Sequence, residues 1–169
     1  IPKIHSVIGC SLGGQQALEW AVSEPELFDN LVAIGTNAFH SPWGIAFNET
    51  QRMAIKQDLT WELSTDTAGE SGMKIARAMA LISYRNYNTY KATQSEEDVD
   101  KTDGFKACSY QAYQGEKLAR RFNAFSYWYL SKAMDSHNVG RGRGSVEKGL
   151  ERVKAKSLFI GMETDILFP

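Results

Sequence analysis

Hydrophobic and polar positions divide this chain into three stretches of different period. Residues 3 to 9, Lys-Ile-His-Ser-Val-Ile-Gly, are short and β-branched in character and predict a strand. From Leu12 to Ser23 the period changes. Ala17, Leu18, Ala21 and Val22 recur at helical spacing and mark one buried helix face, which Pro25 closes. Leu31 to Gly35, Leu-Val-Ala-Ile-Gly, is a continuous apolar run, the pattern of a buried parallel strand. Strand, tight turn, helix and strand together predict a βαβ unit with a right-handed crossover.

The middle of the chain reads differently. Residues 47–57, 69–87, 106–120 and 122–136 carry helical patterns with almost no strand signal. Asn86-Tyr87-Asn88 and the acidic stretch from Ser95 to Asp100 separate two of these helices, and the acidic stretch reads as a solvated loop. Val139 to Gly144 is a flexible basic loop. It is no dinucleotide fingerprint, because no strand precedes it. A short helix over 145–154 leads to a third strand pattern over 157–161. The organisation is therefore α/β: a core piece over 1–37, a helical insertion over 38–144, and a return to the α/β layer over 145–169.

Composition narrows the function classes. A chain of 169 residues with 43% hydrophobic and 23% charged residues can bury a real core. The formal charge of −1 creates no field that would recruit nucleic acid or an anionic membrane. No apolar run approaches the ~18 residues of a membrane span. The opening residues lack the charged and apolar regions of a signal peptide. Cys10 and Cys108 lie far apart and form no metal or redox pair. They read as two free thiols in a reducing, cytoplasmic setting.

Chemistry concentrates at Gly9-Cys10-Ser11-Leu12-Gly13, extended by Gly14. A glycine two residues to either side of a serine allows a strand to turn into a helix within a few residues, leaving the serine strained and exposed. The helix N-terminus favours developing negative charge, so the N–H of Leu12 is the expected oxyanion donor. The strand before and the helix after supply the context this pattern requires. Cys10 is a rival nucleophile, but the turn aims only its central residue outward. A serine nucleophile needs a base and an orienting acid. Asp165, just past the strand over 157–161, stands where catalytic groups gather in open parallel sheets and is the candidate acid. None of the three histidines, His5, His40 and His137, follows the acid in sequence. Each reads as a core or surface residue, and the base is expected after Pro169.

Arg77 interrupts the otherwise apolar stretch from Ile75 to Ile82, and a buried guanidinium needs an anionic partner. Tyr84 comes seven residues later, two helical turns on, and so points to nearly the same side. Together they suit a substrate carboxylate. A carboxylate from the helical insertion is the alternative partner.

Taken together, these motifs resemble the homoserine O-acetyltransferase family, the α/β-hydrolase-fold acyltransferases of methionine biosynthesis. The resemblance rests on Gly9 to Gly14 with Gln16-Ala17-Leu18-Glu19-Trp20, on Ala46-Phe47-Asn48-Glu49 with Gln51-Arg52, and on Tyr113-Gln114-Gly115-Glu116-Lys117. It continues in Asn123-Ala124-Phe125-Ser126-Tyr127 and in Thr164 to Pro169. It implies an α/β-hydrolase fold with a helical lid and a ping-pong reaction without bound cofactor or metal. Ser11 would take an acetyl group from acetyl-CoA, the co-substrate, and pass it to the γ-hydroxyl of L-homoserine. Asp165 would hold a histidine base, and Arg77 with Tyr84 would bind the homoserine carboxylate. A homodimer through the lid helices is implied as well. Family members are roughly twice this length, so the chain is expected to be a fragment that is inactive alone. Succinyl in place of acetyl transfer, a serine hydrolase or esterase of the same fold, and a non-catalytic domain remain the alternatives.

Overall fold

Three parallel strands carry the first and last parts of the chain in the computed structural model, which describes residues 2–169. Strand β1 spans Ile4–Cys10, β2 Phe28–Ile34 and β3 Lys156–Ile160, in the order β1-β2-β3. Helix α1, Leu12–Ser23, connects the first two. In register, Ile4 stands beside Phe28 and Cys10 beside Ile34, while Ile34 also stands beside Ile160.

The helical face expected on α1 is the face that is buried. Ala17, Leu18, Ala21 and Val22 pack with Phe28, Leu31, Val139 and Ala155. Strand β2 begins earlier than its apolar run, because Phe28 is buried and the polar Asp29 and Asn30 continue the pairing. The Asn30 side-chain amide donates to the His5 carbonyl at 2.8 Å, so a polar residue supports the β1–β2 pair. Within β2, Leu31 and Ala33 are buried, whereas Val32 and Ile34 are only half-buried. The buried and half-buried residues alternate, as the two faces of a strand do. Every residue of β3 is exposed, including Leu158, Phe159 and Ile160.

The chain divides into two compact units. The first comprises Ile1–Ile45 with Ala133–Pro169, and the second Ala46–Lys132. The helical unit is shorter than the insertion read from the pattern. Residues 38–45 and 133–144 belong with the sheet because Phe39 and Asn138 form an antiparallel bridge and Val139 donates to the Ala38 carbonyl at 2.9 Å. The basic loop after Val139 is tied down as well. Arg143 donates to both carboxylate oxygens of Glu19, at 3.1 and 2.6 Å, and to the Val139 carbonyl at 2.9 Å. A five-residue helix, α7 (Val146–Leu150), follows, shorter than the stretch its pattern marks, and Ser145 caps it.

The helical elements are α2 (Pro42–Lys56), α3 (Glu70–Ser83), α4 (Tyr87–Gln94), α5 (Lys106–Ala119) and α6 (Ala124–Asp135). In the second unit Ile55, Met73, Ala76, Leu118 and Ala124 form the core. Arg52 is buried with both halves of its guanidinium occupied. Glu49 accepts from Nε at 2.9 Å and pairs with Nη2 at 2.7 Å, while Nη1 donates to Ser131. The helix read over 69–87 stops at Ser83. Asn86 adopts extended backbone and its side chain accepts from the Thr89 N–H at 2.8 Å, so a new helix, α4, starts where the pattern suggested a break. No helix of the described residues is long and apolar enough to cross a membrane.

Candidate active site

In the first unit, Ser11 sits between β1 and α1 with φ 52° and ψ −125°. It is the only non-glycine among the described residues with positive φ. An L-residue held there costs about 1–3 kcal/mol and persists only where its surroundings enforce it. Two bonds do so. The Ser11 N–H donates to the Ile34 carbonyl at 2.9 Å, and Thr36 Oγ1 donates to the Ser11 carbonyl at 2.9 Å. Ser11 itself is exposed. Leu12 opens α1, so its N–H has no acceptor within the helix.

The glycines around Ser11 are not equivalent. A Cβ on Gly9 would lie 2.0 Å from the Gly13 carbonyl oxygen, and one on Gly14 would lie 2.7 Å from Thr36 Cβ. Around Gly13 nothing stands within 4 Å. The clash expected on both sides of the serine therefore falls on Gly9 and Gly14. Gly13 supplies the backbone that Gly9 touches.

Asp165 lies at the same carboxyl end of the sheet. Gly35, the residue after β2, donates to the Ile160 carbonyl, and its Cβ position is 3.7 Å from Asp165 Oδ2. Asp165 Oδ1 accepts from the Leu167 and Phe168 N–H groups at 2.8 and 2.9 Å. The turn thus fixes one oxygen, and Oδ2 accepts no hydrogen bond from the described residues. Ser11, Leu12 and Asp165 therefore share one end of the first unit's sheet.

The histidines are elsewhere occupied. His5 is exposed, 3.8 Å from Asp29. His40 is buried beside the Phe168 ring, and burial pushes it below its ordinary value. His137 Nε2 is 3.1 Å from the Asn37 carbonyl and is likewise lowered by burial. Cys10 and Cys108 are free and exposed. Among the described residues no group of histidine, cysteine, aspartate and glutamate is arranged to hold a metal ion.

In the second unit, Arg77 and Tyr84 come together. Tyr84 is the C-cap of α3, and the guanidinium carbon of Arg77 lies 5.3 Å from the centre of its ring. The alternative carboxylate partner does not materialise: no described residue forms an ion pair with Arg77. Its Nε is buried without a hydrogen-bond partner. Tyr84 keeps 53% of its surface exposed; the atoms packed around its phenol push it up and the Arg77 charge opposes that. Two residues not singled out beforehand belong to the same unit. Tyr127 on α6 donates its hydroxyl to Gln51 Oε1 on α2. Both fall inside motifs that carried the resemblance, but no spacing rule connects residues so far apart.

Comparison with known proteins places the fold. The profile of the alpha/beta hydrolase fold family matches residues 1–169. The chain belongs to that family. Among curated proteins, it is 55% identical over 168 residues to a homoserine O-acetyltransferase of Cyclobacterium marinum, covering 99% of this chain and 48% of that protein. The chain thus spans about half the length of the curated relatives it matches. Among solved structures, a homoserine O-acetyltransferase from Bacillus anthracis superposes with a TM-score of 0.89 at 23% identity, over 100% of this chain and 48% of that one. An acetylester hydrolase from Corynebacterium glutamicum superposes with a TM-score of 0.84 at 20% identity, again over 100% and 48%. At such identities both structures establish the alpha/beta hydrolase fold alone. Within it, Gly9 to Gly13 form a strand–turn–helix, with β1 ending at Cys10 and α1 opening at Leu12.

Proposed function

We propose that the enzyme carrying this chain transfers an acetyl group from acetyl-CoA to the hydroxyl of L-homoserine. The observation that carries this reading is Arg77: a guanidinium seated against Tyr84, with a buried Nε that no described residue satisfies. A substrate carboxylate supplies the acceptor it lacks. The name of the 55% identical relative supports the same substrate.

Ser11 Oγ attacks the thioester carbonyl and forms a tetrahedral oxyanion, which the Leu12 N–H stabilises at the helix N-terminus. Collapse expels the CoA thiol and leaves acetyl-Ser11. The homoserine hydroxyl then attacks the acetyl carbon, and collapse restores Ser11. A histidine takes the proton in each attack and returns it to each leaving group, oriented by the open Oδ2 of Asp165. That histidine is assigned to the half of the relatives' length outside this chain. Arg77 and Tyr84 hold the homoserine carboxylate. A cytoplasmic homodimer pairing through the helical unit, with a place in methionine biosynthesis, completes the reading.

The test is release of CoA from acetyl-CoA by the full-length enzyme, with and without L-homoserine. Sustained release that requires homoserine, together with an acetyl group trapped on Ser11, supports the transferase. The second reading is an esterase, favoured by the superposition with the acetylester hydrolase. Rapid hydrolysis of p-nitrophenyl acetate that homoserine neither accelerates nor redirects would establish it instead.

A further inference from the structure

An amino acid held by its carboxylate on a guanidinium still carries an ammonium group, and an ammonium needs acceptors. The second unit contains one whose proton is already committed. The Gln51 side-chain Nε2 donates to the Phe47 carbonyl at 2.8 Å. A carbonyl only accepts, so this contact determines which end of the amide is nitrogen. The amide oxygen therefore faces Tyr127, and the Tyr127 hydroxyl must donate to it. With its proton so engaged, the phenol oxygen offers acceptor capacity alone.

The Tyr127 phenol belongs to the same helical unit as the Arg77–Tyr84 pair and feels the charge of both. Tyr127 packs against the cluster that holds Met73 and Ala76, which precede Arg77 on α3. Burial, reinforced by Tyr84 and opposed by the Arg77 charge, raises the Tyr127 phenol well above its ordinary range, so it stays protonated at every physiological pH. A neutral acceptor repels a carboxylate and welcomes a cation.

We propose that Tyr127, aimed by Gln51, binds the α-ammonium of the amino acid whose carboxylate Arg77 takes, and so selects amino acids over plain hydroxy acids. This inference rests on the function proposed above. Arg77 reads the acidic end of the substrate and Tyr127 the basic end. Gln51 acts as a positioning residue through Tyr127.

The experiment compares L-homoserine with γ-hydroxybutyrate, which has the same chain and carboxylate but no amino group, on the full-length enzyme. Tyr127→Phe should lower kcat/KM for homoserine about tenfold or more, mainly through KM, the size expected for one lost hydrogen bond to a charged group. The same variant should leave γ-hydroxybutyrate within about twofold and leave acylation of Ser11 unchanged. Gln51→Met keeps the phenol but releases its proton, and should shift the homoserine preference in the same direction. Equal losses on both substrates, or no loss on homoserine, in variants whose unfolding matches the parent would overturn the assignment. If the parent enzyme transfers no acetyl group to homoserine, the proposed function itself fails, an outcome visible before any variant is made.

Discussion

Two alanine substitutions in one motif should have opposite effects. In Gly9→Ala the new methyl would lie 2.0 Å from the Gly13 carbonyl oxygen, 2.4 Å from its carbon and 2.7 Å from the Gly14 nitrogen. Uncrowded carbon contacts lie at about 3.5 Å. The turn must therefore open by more than 1 Å, and the obstructing atoms are backbone that no rotamer change can move. Overpacking costs about 1–3 kcal/mol where side chains can yield, so a cost of about 3 kcal/mol or more is expected here. The same displacement pulls on the two hydrogen bonds that hold Ser11 at φ 52°. Misplacing a reacting group by about 1 Å costs on the order of 100-fold in rate. Gly13→Ala meets nothing within 4 Å in a helical position. It should stabilise by about 0.5–1 kcal/mol and leave Ser11 in place. The assay is urea unfolding of both variants of the full-length enzyme, with acyl-enzyme formation timed in parallel. If Gly13→Ala proves the more damaging, or Gly9→Ala acylates at the parent rate, the crowding account of this turn is wrong.

Arg77→Ala should lower kcat/KM for homoserine at least tenfold while acylation of Ser11 changes little, since only the second half-reaction involves the amino-acid carboxylate; a two-step assay separates these, and equal losses would mark Arg77 as structural. Ser11→Ala should abolish acyl-enzyme formation with little change in the unfolding midpoint, and acetyl label on any other residue would refute the nucleophile. Arg143→Ala should cost about 1–2 kcal/mol at neutral pH, a figure reduced for screening because the Glu19 side chain is 40% exposed. For Glu19, burial pushes the carboxyl up, but hydrogen bonds from Arg143 and Ser23 and the Arg143 and His137 charges outweigh burial and hold it below its ordinary 4.5. A depressed carboxyl stabilises above its unfolded value and loses that contribution as pH falls through the folded one. The gap between parent and variant in urea melts should therefore narrow only at acidic pH below that value. The 169-residue chain on its own should show no transferase activity and should self-associate in size-exclusion chromatography, because β3 exposes Leu158, Phe159 and Ile160 by 54%, 57% and 42%. A monomeric elution at high concentration would contradict the second expectation.

Elements governed by near neighbours were legible in the amino-acid order. Helix α1 runs over the residues its periodicity marks, and the glycine–serine pattern falls on the strand-to-helix turn where Ser11 is strained. Both follow from local geometry, in which apolar residues a turn apart share a face and a tight turn excludes side chains. The start of β2 was hidden because Asp29 and Asn30 are polar, and only pairing with β1 extends the strand to Phe28. The onset of α4 depended on a single cap, Asn86, whose amide could equally have closed a turn.

What joins distant residues was decided by the tertiary structure. Arg77 and Tyr84 are near in sequence, and their shared side could be anticipated. That no carboxylate of the described residues reaches Arg77 could not, since any acidic residue of the helices was a possible partner. The Gly35 turn brings Asp165 beside the end of β2, Glu19 meets Arg143, and Gln51 directs Tyr127, all across long separations. Periodicity records which face of an element is apolar. It carries nothing about which polar groups meet when the chain returns, because that depends on the packing of whole elements.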